Sequence, residues 1–153
     1  MTEQPPIPED VHADYANAAA REALDTFQAT PDYEHLAAFL NALREGYLVV
    51  DVTGASSKKK GHRVRMIRST TGQPVLPIFT SMAELRAMAP ASRSEELRGA
   101  VMPAQAALAL ISTDRFVAAE FDKASASLVM LRKYVALAAG GDEITAAVLE
   151  GMR

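Results

Sequence analysis

The residues best suited to chemistry are six bases within the eleven residues 58–68, a stretch that contains no acid. On a loop and an adjoining strand, such a cluster can bind phosphate groups or an acidic protein surface. The stretch lacks the interleaved aromatic residues that are typical of proteins binding single-stranded nucleic acid. These bases, which we call the basic segment, are Lys58, Lys59, Lys60, Arg63, Arg65 and Arg68.

Two other interpretations of the basic segment remain open. It can be a solvated hairpin whose lysines keep an edge strand from pairing with other chains, which is a common protection against aggregation. It can also dock on the acidic N-terminal helices of its own chain. Residues 1–57 carry ten acids and two bases, a net charge of −8, whereas residues 58–153 carry nine acids and fourteen bases, a net charge of +5.

A serine at a strand-to-helix turn is a candidate nucleophile, and Ser81 is predicted to lie at such a turn. The glycines of the G-x-S-x-G motif are missing around it. Glu84 follows three residues later, which is the spacing of a capping box. We therefore predict that Ser81 and Glu84 cap the helix that follows, and that neither residue is catalytic.

Metal and cofactor sites have no support in the residue pattern. The three histidines, His12, His35 and His62, lie far apart, and there is no cysteine. A zinc site needs three or four ligands, and the phosphate-binding motif G-x-x-x-x-G-K-[ST] is absent. Acidic pairs such as Asp142-Glu143 fall at predicted helix starts or connectors. The sequence thus predicts no metal, no cofactor and no enzymatic activity.

Length and composition indicate one domain. The chain has 153 residues, 49% of them apolar, which is enough for a substantial core. We expect a mobile tail over residues 1–8 and a single domain over residues 9–153. No stretch approaches the ~20 apolar residues of a membrane span, and the N-terminus lacks the apolar region of a signal peptide. We expect a cytoplasmic protein that does not bind membranes.

Two helices are predicted at the start of the domain. Residues 9–29 are alanine-rich, and apolar side chains recur there at four-residue spacing from Val11 through Ala19 and Phe27. This stripe can pack on its own domain, on a partner or on a second copy of the chain. Thr30 is the predicted cap of the second helix, Pro31 its first residue, and Gly46 its stop. Four leucine and phenylalanine residues form its apolar face: Leu36, Phe39, Leu40 and Leu43.

The rest of the chain mixes strands and helices. Period-two apolar patterns and turn residues predict strands at 47–52, 62–69, 75–79, 115–121 and 127–131. Helices are predicted at 81–88, 102–111, 132–139 and 143–152, the last capped by Asp142. This order predicts an α+β fold with one mixed β-sheet of about five strands, flanking helices and the N-terminal alanine-rich helix.

Three segments resemble the N-terminal domain of the SseB family. They are the helix end Leu40–Gly46 running into Tyr47–Val52, the strand-to-helix junction Leu76–Leu85, and the segment Met102–Leu108. The resemblance spans residues 34–139. Asp51 stands where family members commonly have proline, and the Asn-Pro pair that often follows the strand ending at Phe121 is missing.

The resemblance implies a small, globular, bacterial module with an accessory or protein-interaction role, and it supplies no catalytic residue. The sequence therefore leaves two hypotheses for the function. The first is a non-enzymatic module that binds another protein, with a homo-oligomer through the 9–29 helix as a further option. The second is binding of nucleic acid or another anionic ligand through the basic segment.

Overall fold

The computed structural model describes residues 15–51, 67–68, 71–88, 99–113 and 115–152. The predicted mobile tail, residues 1–8, lies outside the described residues. The same holds for the first residues of the predicted N-terminal helix, 9–14, and for most of the predicted strand 62–69.

The described strands form one mixed sheet. They are β1 (Tyr47–Asp51), β2 (Ile67–Arg68), β3 (Pro74–Phe79), β4 (Gly99–Pro103), β5 (Ala118–Phe121) and β6 (Leu128–Leu131). Five strands lie side by side in the order β4-β1-β3-β5-β6, and the short β2 pairs with the first residues of β3. Only β3 and β5 are parallel, whereas the other pairs are antiparallel. The predicted α+β class with a mixed sheet is confirmed.

The helices of the described residues lie on both faces of this sheet. They are α1 (Ala18–Ala29), α2 (Tyr33–Leu43), α3 (Met82–Met88), α4 (Ala104–Ala109), α5 (Arg132–Ala139) and α6 (Ala146–Gly151). Because side chains alternate along a strand, neighbouring strand residues enter different cores. Leu48 and Ile78 pack in the main core with residues of α1, α2, α4, α5 and α6. Val49 and Phe79 form a smaller cluster with Leu85 of α3 and Val101.

The predicted start of the first helix is wrong within the described residues. Tyr15, Ala16 and Asn17 are not helical, and Ala16 forms an antiparallel bridge with Ser81. The side chain of Asn17 accepts a hydrogen bond from the Ala20 amide and caps α1. The predicted apolar stripe is confirmed in part: Ala23 and Phe27 pack against the main core, but Ala19 is exposed, and the fully buried residues are Ala20 and Leu24. Pairing with the chain at Ser81 holds residues 15–17 extended, which alanine propensity does not reveal.

Two other helix caps were assigned to the wrong residues. Asp32, not Thr30, caps α2, and its Oδ1 accepts a hydrogen bond from the His35 amide at 2.8 Å. Thr145, not Asp142, caps α6. In each case the observed cap has the extended backbone that lets its side chain reach the third amide. The predicted apolar face of α2 is confirmed, since all four of its residues are buried.

The strand β4 was missed by the sequence prediction. Residues 102 and 103 were assigned to a helix because Pro103 is typical of a first helical turn. They instead end β4, which pairs with β1 from Tyr47 opposite Pro103 to Asp51 opposite Gly99. The helix α4 begins directly after this strand, at Ala104. The predicted strands 47–52, 75–79 and 127–131 and the helix 132–139 are confirmed to within about one residue.

Candidate interaction surface and neighbouring polar cluster

The structure describes only one of the six bases of the basic segment. Lys58, Lys59, Lys60, Arg63 and Arg65 lie outside the described residues. Arg68 belongs to β2, where its backbone is paired opposite Pro74. The binding role predicted for these six side chains therefore stays a prediction.

A polar cluster lies at the carboxyl ends of β3 and β5. Because these strands are parallel neighbours, the residues that follow them, Thr80 and Asp122, meet at one edge of the sheet. The Asp122 carboxylate accepts hydrogen bonds from the Thr80 amide at 2.8 Å and from the Thr80 hydroxyl at 2.7 Å. Asp122 is fully buried and has a φ of 51°, a left-handed conformation that aspartate tolerates better than most residues.

Arg21 of α1 joins this cluster to two other parts of the chain. Its Nη1 lies 2.8 Å from Oε2 of Glu84 and 3.1 Å from Oδ2 of Asp122. It also donates to the hydroxyl of Ser125, which in turn donates to Oε1 of Glu84 at 2.7 Å. One guanidinium thus connects α1, α3 and the turn after β5.

The contacts of this cluster include a helix cap and ion pairs between distant parts of the chain. Ser81 caps α3 as predicted, since its hydroxyl accepts a hydrogen bond from the Glu84 amide at 3.1 Å. The other half of the predicted capping box is wrong, because the Glu84 carboxylate binds Arg21 and Ser125. Burial raises the pKa of Asp122 above its ordinary value, although the hydrogen bonds from Thr80 and the charge of Arg21 act in the opposite direction. The hydroxyls of Thr80 and Ser125 both donate to carboxylates and do not face a histidine base.

A different surface lies along β6, the last strand in the order β4-β1-β3-β5-β6. Within the described residues β6 pairs with β5 alone, with Ala118 opposite Leu131 and Glu120 opposite Val129. The Arg132 amide donates to the Val117 carbonyl. Since the direction of backbone groups alternates along an antiparallel strand, the amide and carbonyl groups of Val129 and Leu131 point away from β5.

The side chains of these two residues are exposed as well. Val129 and Leu131 are each 54% exposed, whereas Met130 between them is buried. The outer edge of β6 therefore presents two large apolar side chains together with outward backbone groups. We call Val129, Leu131 and the outer backbone edge between them the β6 surface.

Within the described residues, the exposed charges that flank the β6 surface are of one sign. In the strand pair and its flanks, residues 115–133, the bases Arg115, Lys123 and Lys133 are exposed. The two acids, Glu120 and Asp122, are 9% and 0% exposed. Glu120 accepts a hydrogen bond from Ser127 and lies 3.7 Å from Lys123. The sequence predicted a strand here, but its position at the edge of the sheet depends on pairing with β5, which the residue pattern does not specify.

The described parts of the chain contain neither a group of metal ligands nor a membrane-spanning helix. The described ranges contain no group of three or more histidine, aspartate or glutamate side chains that could hold a metal ion. His35 contacts Asp32, with its Nδ1 2.6 Å from Oδ1. No helix in these ranges is long and apolar enough to cross a bilayer.

Comparison with known proteins identifies the family. A model of the SseB protein N-terminal domain matches residues 21–136, from within α1 to within α5. This match begins earlier than the resemblance at residues 34–139 and includes Arg21 and the second half of α1. No curated protein and no solved structure matches the chain. The family match covers most of the sequence, and the chain therefore belongs to the SseB family.

Proposed function

We propose that the chain is a non-enzymatic interaction module that binds an extended segment of another protein along the β6 surface. The observation that carries the proposal is the coincidence, at Val129 and Leu131, of exposed apolar side chains with outward backbone groups. An incoming strand can hydrogen-bond to such an edge, while its alternate side chains contact the apolar residues. This mode of binding requires no catalytic group.

The exposure of β6 is unusual for an edge strand. Proteins usually protect edges with charged side chains, proline or a covering element, because an open edge invites pairing with other chains. In the part of the chain that the structure describes, the large apolar side chains that stand out as exposed are Val129, Leu131 and Val148. Two of these three alternate along one edge strand, which is the spacing that a strand partner would use.

The test is selection of binding peptides from a random display library with the wild-type protein as bait. Each enriched peptide is then measured against Val129→Pro. Proline at Val129 removes an amide that points away from β5, so the β5 pairing is retained and the fold tolerates the change. The matched control is Val148→Thr, which changes an exposed apolar residue, 40% exposed, on α6.

We expect peptides that bind the wild-type protein and Val148→Thr equally and lose binding to Val129→Pro. Far-UV circular dichroism of each variant verifies that it is folded. The proposal is wrong if the enriched peptides bind Val129→Pro as tightly as wild type, or if the library yields no binder.

A second candidate function is binding of nucleic acid or another anionic ligand through the basic segment. Its support is the sequence itself, with six bases and no acid in residues 58–68. Changing Lys58, Lys59 and Lys60 to glutamine should weaken such binding and flatten its salt dependence. Titration with labelled DNA and RNA at ~50 mM salt is the test, a concentration at which phosphate contacts are strong. Absence of binding at micromolar protein would exclude nucleic acid.

A homo-oligomer through residues 9–29 is the remaining proposal on partners. Within the described part of this segment, residues 15–29, Ala20 and Leu24 are buried in the main core of their own chain. A second copy would therefore contact the other, exposed face of α1. Sedimentation velocity at several concentrations distinguishes the 16.4 kDa monomer from an oligomer.

A further inference from the structure

We infer that the segment bound by the β6 surface is an extended peptide that alternates apolar with acidic residues. This inference rests on the proposed function, because it specifies the chemistry of a partner at the same surface. Its basis is the distribution of charge around β6, which is an observation separate from the exposure of the strand edge.

Exposed bases stand at both ends of the strand. Lys123 lies in the turn before β6 and is 43% exposed. Lys133 lies in the first turn of α5, directly after β6, where its ammonium donates to the Met152 carbonyl and keeps its positive charge at the exposed surface. The acid that faces Val129 across the pair, Glu120, is nearly buried and is already engaged with Ser127 and Lys123. A peptide on the β6 surface therefore meets positive charge at both ends and little negative charge between them.

The length of β6 matches this pattern. Four residues of strand extend about 13 Å, so a paired peptide of six to eight residues reaches past both ends of β6. Its alternate side chains on one face contact Val129 and Leu131. Acidic residues near its ends then approach Lys123 and Lys133, which favours association and orients the bound strand.

A second copy of the chain fits this surface less well. Pairing of two β6 strands would bring together two edges whose flanking exposed charges are all basic. Like charges that face each other across an interface oppose association. The same positive edge also disfavours a basic peptide. The charge distribution thus selects an acidic partner over a neutral strand, a basic strand or a copy of this chain.

The experiment uses three labelled octapeptides that alternate valine with glutamate, threonine or lysine, each with blocked termini. Binding to the full chain is measured by fluorescence anisotropy at about 50 mM and about 500 mM salt, which span weak and strong screening of charges. The variants are Val129→Pro and the double change Lys123→Gln with Lys133→Gln. The matched control is Arg86→Gln, which removes an exposed base on α3.

We expect the glutamate peptide to bind at least ~10-fold more tightly than the threonine peptide, and the lysine peptide to bind most weakly. The double lysine variant should lose this preference and its salt dependence, whereas Arg86→Gln should keep both. Val129→Pro should lose binding of every peptide.

Three results would overturn the inference, and they differ in what they imply for the proposed function. If the threonine peptide binds as tightly as the glutamate peptide and both are lost in Val129→Pro, the acidic preference is wrong while the β6 surface stands. If none of the three peptides binds, the inference is also wrong, and the library selection decides independently whether β6 binds any strand. If Val129→Pro still binds the glutamate peptide, the peptide binds at a site other than the β6 surface, and the inference is wrong.

Discussion

Asp122 connects elements that are distant in sequence, and its contribution can be measured directly. Its carboxylate accepts two hydrogen bonds from Thr80 and one from Arg21, a residue 101 positions earlier in the chain. Alanine would leave the buried Thr80 amide without its acceptor and would occupy a left-handed backbone position less well than aspartate.

We predict that Asp122→Ala lowers the free energy of unfolding by about 2–4 kcal/mol, the cost of leaving buried polar groups unpaired. Urea denaturation followed by circular dichroism measures the change. The control is Asp142→Ala, which truncates an exposed carboxylate and should change the stability by less than ~0.5 kcal/mol. Equal stability of Asp122→Ala and wild type would show that the polar cluster does not support the fold.

Asp32 supplies a pH-dependent contribution to stability. The hydrogen bonds from His35, first from its amide and then from its ring, lower the pKa of the Asp32 carboxyl below its ordinary value. A lowered pKa in the folded state means that the unfolded chain binds the proton more readily. The stabilisation is therefore present above the ordinary aspartate pKa and is lost as the pH falls through the folded-state pKa.

We predict that Asp32→Asn melts at a lower temperature than wild type at about pH 5, and that the difference shrinks towards about pH 2 as the pH falls and the carboxylate takes up its proton. Asparagine can still cap α2, so the comparison isolates the charge. Asp32→Ser, which also keeps a cap without a charge, should show the same pH dependence. A difference in melting temperature that is constant over this range would contradict the assignment.

Among the elements, the extended residues before α1 attach that helix to the sheet. The Asn17 side chain caps α1 through Oδ1, and its Nδ2 donates to the carbonyls of Glu45 and Tyr47. The Tyr15 hydroxyl donates to the Tyr47 carbonyl at 2.7 Å and accepts from the Tyr47 amide. Together these bonds join the start of α1 to the start of β1.

We predict that Asn17→Ala destabilises the protein by about 1–3 kcal/mol, through the lost cap and the two lost hydrogen bonds to the carbonyls of Glu45 and Tyr47. Asn17→Ser keeps a cap but removes both donors, so its stability should lie between alanine and wild type. Thr145→Ala removes the cap of α6 alone and gives the cost of a cap for comparison. Chemical denaturation of the three variants is the measurement. An Asn17→Ala effect no larger than that of Thr145→Ala would mean that the links to β1 add nothing.

The accuracy of the sequence prediction differs between elements for physical reasons. The buried strand β3 was predicted correctly because its apolar run is bounded by turn residues and by the Ser81 cap. The start of α1 was not, because local propensity favours helix at Ala16 while pairing with Ser81 holds it extended. The strand β4 was missed because it is short and depends on pairing with β1.

At the scale of the whole molecule, no local sequence pattern predicts the candidate surface. The exposed positions of Val129 and Leu131 follow from the place of β6 at the end of the strand order. The approach of Arg21 to Asp122 follows from the packing of α1 near the ends of β3 and β5. Neither feature corresponds to a motif of fixed spacing in the sequence, because both depend on contacts between residues that are far apart in the chain. By contrast, the cap at Ser81 is local and was predicted.

The sheet separates two apolar clusters of very different size, and we predict that they unfold together. The side chain of Phe79 belongs to the small cluster under α3, and that of Phe121 belongs to the main core. Strands β1 and β3 each contribute to both clusters, because Leu48 and Ile78 pack in the main core next to Val49 and Phe79 of the small cluster. Phe79→Ala and Phe121→Ala should each cost roughly 3–5 kcal/mol, as is typical for a buried phenylalanine.

Two spectroscopic probes can distinguish one transition from two. The chain has four tyrosines and no tryptophan. Tyr15 and Tyr47 pack against the small cluster, and Tyr33 and Tyr134 pack against the main core. In urea, tyrosine fluorescence and circular dichroism should report coincident midpoints for wild type and for both variants, since cooperative domains unfold in one step. If Phe79→Ala lowers the fluorescence midpoint alone, the face under α3 unfolds separately, and the shared strands do not couple the two clusters.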